Sequence, residues 1–156
     1  MALQLWLLRH GDAVPHGSKP DFQRELTEKG EAQARAAGVA LAGLGCTFAA
    51  CYSSPRVRAR DTARLACAAL GLEVQEVDAI AGDFDTSGVR ELLHTHDSDD
   101  RVLIVGHEPD FSQLVHDLTG ARVSFKKGGV AAIRIERKGA LLLLLLQPPE
   151  LAALAP

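Results

Sequence analysis

The sequence is poor in aromatic residues, which make up 4% of the chain, and its formal charge of −3 shows no basic excess. Proteins that bind single-stranded nucleic acid stack its bases on aromatic side chains, and proteins that bind duplexes present a basic face to the phosphates. A chain with one Trp, one Tyr, five Phe and a pI of about 6.0 has little of either. The composition therefore argues against a general nucleic-acid-binding protein.

Cysteines and long apolar runs are also scarce. Cys46, Cys51 and Cys67 are odd in number and have no CxxC spacing, which indicates neither a disulfide framework nor a zinc ribbon. They are expected to be small core residues in a reducing compartment. The apolar run before Arg9 is too short for a signal peptide, and residues 140–146 are too few to span a bilayer. We therefore expect a soluble, cytoplasmic protein with no membrane partner.

The chain does contain a regular alternation of apolar runs and amphipathic stretches, and 47% of its 156 residues are hydrophobic. Residues 3–8, 48–52 and 102–105 are apolar runs that predict buried strands, and helical spacing of apolar residues follows each run. This alternation predicts a three-layer α/β/α single domain, residues 1–156, whose central sheet is mostly parallel and has about six strands.

The C-terminal part of the sequence carries two more specific expectations. Leu141 to Leu146 form a run of leucines bounded by Gly139 and Pro148, which predicts a central strand of the sheet despite the helix propensity of leucine. Residues 147–156 are rich in Pro and Ala and are expected to form a loosely attached tail.

Polar side chains follow three of the predicted strands. Residues 9–11 read Arg-His-Gly, residues 53–55 read Ser-Ser-Pro, and residues 106–109 read Gly-His-Glu-Pro. If the strands are parallel, these ends share one edge of the sheet, where ligands bind in open α/β folds. Two histidines and at least two arginines would then surround one anion, because guanidinium groups hold phosphate or carboxylate in a bidentate way. A helix beginning near Pro55 would add its positive N-terminal end.

Three arginines compete for a place in this site. Arg56, Arg58 and Arg60 follow the second predicted strand, at the start of the helix. Positions two apart on a helix face different ways, so the three cannot all enter one pocket. Spacing alone does not decide which of the three enters the pocket. We expect the other two to lie on a solvent-exposed face of the helix.

The three motifs together resemble those of the histidine phosphatase superfamily, which includes phosphoglycerate mutases and acid phosphatases. They are LRHG at residues 8–11, SSPRVRARDTA at residues 53–63 and VGHEP at residues 105–109. The short length and the Arg-His-Gly-Asp-Ala opening are most similar to the SixA branch, the small phosphohistidine phosphatases. The resemblance covers roughly residues 3–147 and implies the phosphoglycerate mutase-like fold.

The resemblance also implies roles for individual residues. His10 matches the nucleophile that takes the phosphoryl group, and Arg9 and Arg58 match the two arginines that bind it. His107 matches the second histidine of the pocket. Gly11 is expected to let the backbone pass close to the phosphate. The pattern Ser-Pro-x-x-Arg-Ala-x-x-Thr selects Arg58 over its two neighbours.

These roles suit the chemistry of phosphoryl transfer, which depends mostly on positioning and on charge stabilisation. Two arginines and a protonated His107 would supply positive charge without a metal or another cofactor. A neutral His10 would attack in line and form a phosphohistidine that water then hydrolyses.

One part of the family pattern is incomplete. Many members place a carboxylic acid after the third strand to protonate the leaving oxygen, and Asp83 is the candidate general acid here, although no motif fixes it. The alternative interpretation is that Asp83 is a solvent-exposed loop residue without a catalytic role. The gap fits a phosphohistidine substrate, because imidazole leaves more easily than an alkoxide.

The sequence thus predicts a phosphatase acting on a phosphorylated protein or a small phosphorylated substrate, with protein phosphohistidine as the leading substrate. A phosphatase of small phosphate monoesters and a non-catalytic phosphate- or phosphoprotein-binding module are the alternatives. Side chains with no assigned role are Arg56, Arg60, His16, Lys126 and Lys127.

Overall fold

The computed structural model describes residues 2–156. Its strands are β1 (Leu3–Arg9), β2 (Ala50–Ser53), β3 (Val74–Glu76), β4 (Arg101–Gly106), β5 (Val130–Glu136) and β6 (Gly139–Leu146). Its helices are α1 (Glu28–Gly43), α2 (Val57–Leu70), α3 (Thr86–Leu93), α4 (Asp110–Thr119) and α5 (Pro148–Leu154). Short 3-10 turns occupy Asp21–Gln23 and Asp78–Ala81. No helix within residues 2–156 has the length and apolar character needed to cross a membrane.

All strands belong to one sheet with the order β3-β2-β4-β1-β5-β6. The first four strands in this order run parallel, whereas β5 and β6 are antiparallel to their neighbours. The predicted α/β class and the mostly parallel sheet of six strands are therefore confirmed. Arg9 of β1 lies opposite Gly106 of β4, and Ser53 of β2 lies opposite Val105 of the same strand. This register brings the three polar motifs to one edge of the sheet.

The core lies on both faces of the sheet, as a three-layer fold requires. Side chains alternate along β1, so Trp6 and Leu8 face one cluster while Leu5 and Leu7 face the other. The first cluster includes residues of α1, α2 and α5, and the second includes residues of α3 and α4. Because β1 is buried on both faces, it holds the Arg-His-Gly segment at its end in a fixed position.

The leucine run forms a strand as predicted, but its predicted central place in the sheet is wrong. β6 is the edge strand and pairs with β5 alone, through a hairpin whose turn is Arg137 and Lys138. Leu141 is 47% exposed and Leu143 is 41% exposed. A continuous apolar run is typical of a strand buried on both faces, so the pattern alone suggests a central position.

The C-terminal residues are ordered, and the expectation of a loose tail is wrong. Helix α5 begins after Gln147 with a capping box, in which the Gln147 and Glu150 side chains each bond a backbone N–H of the other's turn. Leu151 is buried in the cluster that also contains Leu41 of α1. Prolines at the first helical positions are compatible with this start, because their missing N–H has no partner in a helix anyway.

Candidate active site

A cavity of about 210 Å³ lies at the edge of the sheet where β1, β2 and β4 end. Its lining contains all four side chains that the sequence motifs predict to act together, which are Arg9, His10, Arg58 and His107. The other lining residues are Ala13, Pro15, His16, Arg24, Glu108 and Lys127. Within residues 2–156, no group of three or more His, Cys, Asp or Glu side chains is arranged to hold a metal ion.

His10 directly follows β1 and is only 6% exposed. Its backbone N–H donates to the Gly106 carbonyl at 3.0 Å, which ties it to the end of β4. Nδ1 lies 2.7 Å from the carbonyl oxygen of Gly11 and donates its proton there. In the neutral ring the lone pair is therefore on Nε2, which is the atom available for attack.

The protonation state of His10 suits a nucleophile. The pKa of His10 is lowered to about 3, mainly by burial; the bond to Gly11 opposes this shift, and the positive charges of Arg58, Arg9 and Arg24 contribute to it. The imidazole is consequently neutral at pH 7, and its lone pair is not lost to a proton.

His107 follows β4, and its ring centroid is 5.3 Å from that of His10. Its Nε2 lies 2.7 Å from Oγ of Ser54, and this Oγ also accepts the backbone N–H of Arg56. The Ser54 hydroxyl is therefore best used as a donor to Nε2, which leaves the proton of the neutral His107 ring on Nδ1. Nδ1 is buried without a partner among the described residues, so it is a free donor on a ring that lines the cavity.

His107 is neutral in the unliganded site, whereas the positive charge expected of it from the sequence concerns the phosphoryl-transfer step and stays a prediction. Burial lowers the pKa of His107 to about 3, and the nearby His10, Arg58 and Arg56 add to the effect. His107 is thus a neutral hydrogen-bond donor before an anion arrives. A bound phosphoryl group would favour the charged form of His107 through its negative charge.

Arg9 and Arg58 are each fixed by a backbone carbonyl. Arg9 donates to Phe125 at 2.7 Å, and Arg58 donates to the carbonyl of Asp21 at 2.9 Å. The Nε atoms of both arginines are buried and have no partner in residues 2–156. A buried donor without a partner is costly, and at a cavity it indicates a missing acceptor.

Asp21 organises the arginines beside the cavity. Its carboxylate pairs with Arg24 at 2.9 Å, Arg56 at 2.6 Å and Arg58 at 3.3 Å. Burial raises the pKa of Asp21, but the hydrogen bond from Arg24 and the charges of Arg58 and Arg24 outweigh this, and the pKa is lowered. Asp21 therefore stays ionised and orients Arg58.

The structure also shows which of the three arginines Arg56, Arg58 and Arg60 enters the cavity, a choice that helical spacing left open. Arg56 donates to the carbonyl of Ala81 at 2.7 Å in addition to its pair with Asp21, and Arg60 pairs with Asp61 at 3.1 Å. Neither lines the cavity, whereas Arg58 does and is only 7% exposed. Helix α2 begins at Val57 with Arg56 as its N-cap, two residues after Pro55, near which the sequence predicts its start.

The packing around Gly11 requires a glycine, while the expected approach of its backbone to a phosphate stays a prediction. A Cβ at Gly11 would lie 2.5 Å from the carbonyl oxygen of Gly30, so this glycine permits the close approach of α1. Its N–H is already donated to Oγ1 of Thr62 at 3.0 Å. Gly11 therefore packs the loop against two helices and does not offer its N–H to a phosphate.

The structure does not bring Asp83 into the cavity. Asp83 is exposed in the loop before α3 and is absent from the cavity lining. The carboxylate that does line the cavity is Glu108, but both of its oxygens accept backbone N–H groups, from Ser112 at 2.7 Å and Phe125 at 3.4 Å. Glu108 thereby holds the backbone at Phe125, whose carbonyl oxygen accepts the hydrogen bond from Arg9.

Three basic residues of the lining, Arg24, His16 and Lys127, have no role assigned from the sequence. Arg24 is only 6% exposed and donates to the Val14 carbonyl at 2.9 Å, besides its bond to Asp21. Its position in a long loop gave no periodic signal, and the loop folds back through a bridge between Ala13 and Leu26. His16 and Lys127 are exposed at the rim, while Lys126 lies outside the lining.

Arg24→Gln is expected to lower kcat/KM by about 10- to 100-fold, because a charged donor near the bound phosphoryl group is lost. Steady-state kinetics should be compared with those of Arg35→Gln, which removes an exposed arginine paired with Glu31 on α1. Equal kinetics for the two variants, with unchanged melting temperatures, would contradict a binding role for Arg24.

Stability should fall as the pH drops from 6.5 towards 3. In this window the unfolded chain protonates its histidines at their ordinary pKa of 6.5, while His10 and His107 stay neutral in the folded state with pKa values of about 3. Protons then bind the unfolded state preferentially and destabilise the fold. Urea unfolding at pH 7 and pH 4.5 measures how much free energy of unfolding is lost between the two pH values, and the double variant His10→Asn/His107→Asn should lose less than the wild type.

His116→Asn, at an exposed position on α4, is the control and should lose as much free energy of unfolding as the wild type. The same loss in all three proteins would rule out the explanation.

Comparison with known proteins is consistent with this geometry. Residues 5–82 match the family model of the histidine phosphatase superfamily, branch 1. An uncharacterised protein of Picosynechococcus sp. is 31% identical over 140 residues, which cover 85% of each chain.

Solved structures extend the likeness to the fold. The protein histidine phosphatase SixA, complexed with tungstate, superposes with a TM-score of 0.85 at 22% identity and covers 95% of this chain and 99% of its own. A phosphoserine phosphatase mutant from Entamoeba histolytica, bound to phosphoserine, gives a TM-score of 0.75 at 16% identity, with coverage of 95% and 98%. At sequence identities this low, the solved structures show only that the fold is the same. The family membership follows from the match of residues 5–82 to the family model. The chain belongs to branch 1 of the histidine phosphatase superfamily, and it is a phosphatase.

Proposed function

We propose that this phosphatase removes the phosphoryl group from phosphohistidine on a protein, through a covalent phosphohistidine on its own His10. The observation that carries the proposal is a set of three buried donors without partners around a neutral histidine. These donors are Nε of Arg9, Nε of Arg58 and Nδ1 of His107, and all three residues line the cavity with His10.

In the first step, Nε2 of His10 attacks phosphorus as the P–N bond of the substrate breaks. The substrate imidazole leaves as a neutral ring when its other nitrogen already carries a proton, so the enzyme need not supply one. Arg9, Arg58 and Arg24 stabilise the equatorial oxygens, and His107 donates from Nδ1. The proton on Nδ1 of His10 stays in place throughout, because Nδ1–H donates to the carbonyl oxygen of Gly11 at 2.7 Å.

In the second step, water attacks phosphorus and the bond to Nε2 of His10 breaks. The proton of the water passes to the phosphate that is released, and His10 returns to its neutral form. His10 is thus phosphorylated in the first step and regenerated in the second, and neither step calls for a metal.

The acid–base inventory of the cavity favours phosphohistidine over a phosphate ester. An ester loses an alkoxide, which needs a proton from a general acid. Glu108 is the carboxyl group of the cavity lining, and both of its oxygens accept backbone N–H groups, so the side chain is held away from a leaving group. Asp83 lies outside the lining.

The rim of the cavity suits a substrate carried by another protein. His16 and Lys127 are exposed there, and Pro15 precedes His16 in the loop between β1 and α1. No long insertion separates the motifs to form a lid over the site. We place this reaction in the cytoplasm, in keeping with the three free cysteines of the chain.

The test is phosphate release from a phosphohistidine peptide and from O-phosphoserine, a small alkyl ester, both in the presence of EDTA. We expect kcat/KM for the peptide to exceed that for the ester by at least about 100-fold, because the alkoxide of the ester finds no proton donor in this site. A preference for the ester would reassign the enzyme to small phosphate monoesters. Absence of turnover with both would favour a binding module instead.

A further inference from the structure

The loop between α4 and β5, residues 120–129, contributes to the catalytic cavity although it contains no helix or strand. Lys127 lines the cavity, and the carbonyl oxygen of Phe125 accepts the hydrogen bond from the Arg9 guanidinium at 2.7 Å. The backbone N–H of Arg9 also donates to this loop, at the carbonyl oxygen of Gly129 and 2.9 Å away. The position of Arg9 therefore depends on what holds the loop in place.

Gln147 lies outside the cavity lining and bonds the loop on both sides of Phe125. Its Nε2 donates to the carbonyl oxygen of Ser124 at 2.8 Å, and its Oε1 accepts the backbone N–H of Lys126 at 3.0 Å. Neither of these two backbone groups has another hydrogen-bond partner within residues 2–156. Because the backbone groups of an irregular segment must be paired by other means, the amide of Gln147 takes the place that a neighbouring strand has in a sheet.

The space around the Gln147 amide is closely fitted. A Cβ at Gly129 would lie 2.5 Å from Oε1 of Gln147, so the glycine leaves the room that the amide occupies. Phe125 is 2% exposed, and its ring centroid lies 5.8 Å from that of Phe111 in the core. The carbonyl oxygen of Phe125 is therefore fixed both by the packing of its own ring and by the bonds to its two neighbours in the loop.

We propose that Gln147 is a positioning residue for Arg9, acting through the carbonyl oxygen of Phe125. The inference rests on the proposed function, in which Arg9 stabilises the transferred phosphoryl group. An arginine whose backbone acceptor moves keeps its charge but loses its fixed place, and a small misplacement of such a group lowers the rate. Since Gln147 is the N-cap of α5, the C-terminal helix becomes part of the structure that positions the site.

Gln147 also has a role in helix capping, and the choice of variants separates the two roles. It forms a capping box with Glu150, whose Oε1 accepts the backbone N–H of Gln147 at 2.9 Å. Asn is a preferred N-cap residue, but its side chain is one methylene shorter than that of Gln. Gln147→Asn therefore retains a cap and loses the reach to the loop, whereas Glu150→Ala weakens the helix start and leaves the loop bonded.

The test is steady-state phosphate release from a phosphohistidine peptide, expressed per folded chain from the circular dichroism of each preparation. We expect Gln147→Asn to lower kcat/KM by about 10- to 100-fold and Glu150→Ala to leave it unchanged. Gln147→Met has no group that can donate to Ser124, so it is the second variant and should lose at least as much.

A double-mutant cycle with Arg9→Ala distinguishes positioning from a general structural effect. If Gln147 acts through Arg9, Gln147→Asn should cause no further loss of kcat/KM once Arg9 is absent. The same loss with and without Arg9 would overturn the inference, and so would wild-type kinetics of Gln147→Asn or an equal loss in Glu150→Ala. An Arg9→Ala variant with unchanged kcat/KM would instead contradict the role of Arg9 in the proposed function.

Discussion

His10→Ala is expected to lower kcat/KM for phosphate release by at least about four orders of magnitude, which is the scale of loss when a covalent nucleophile is removed. The substitution deletes the only atom proposed to bond to phosphorus, Nε2. Arg9, Arg58 and His107 remain, so the site should still bind inorganic phosphate. Steady-state kinetics and phosphate binding by calorimetry would separate the two effects.

His16→Ala is the matched control for this experiment. His16 lines the same cavity, but its side chain is 85% exposed and its Nδ1 lies 3.6 Å from Asp21. We expect its kcat to match the wild type. Substantial turnover by His10→Ala, or a loss of activity in His16→Ala as large as that in His10→Ala, would mean that the nucleophile is misassigned.

Arg58→Ala is expected to lower kcat by about 100- to 1,000-fold, the usual loss when one preorganised donor to a developing charge is removed. Arg58 is 7% exposed, is fixed by Asp21 and presents a buried Nε without a partner. Removing it also removes a positive charge that helps to keep His10 neutral. The variant should therefore lose rate more than stability, which thermal melting would check.

Arg60→Ala isolates the effect of position from that of charge. Arg60 lies two residues away on α2 and pairs with Asp61 at 3.1 Å, outside the cavity. Because a partly exposed ion pair contributes little, we expect a change in kcat of less than about fivefold. If Arg60→Ala lost as much rate as Arg58→Ala, long-range charge and not contact would govern catalysis.

Much of the fold follows from the pattern of the sequence. Continuous apolar runs identified β1 and β4, and the alternation with helices identified the parallel sheet. The site then followed from topology, because parallel strands bring His10 and His107 to one edge. The resemblance to a family added the choice of Arg58, which helical spacing alone did not provide.

The remaining features depend on contacts that sequence patterns do not encode. Arg24 reaches the cavity because a loop folds back on itself, and Gly11 is required by a close approach to Gly30 that only the packed structure reveals. The pKa of His107 depends on burial and on four neighbouring charged or titratable groups. The edge position of β6 depends on which strand the hairpin joins, and a run of leucines does not determine that.

The most direct measurement is to trap the phosphorylated enzyme. The protein would be mixed with a phosphohistidine peptide carrying a radioactive phosphoryl group, quenched in alkali within milliseconds, and digested for mapping of the label. We expect an alkali-stable, acid-labile label on the peptide that contains His10, formed before phosphate is released and absent in His10→Ala. Phosphate release without any labelled enzyme, or a label on another residue such as His107, would contradict the covalent mechanism.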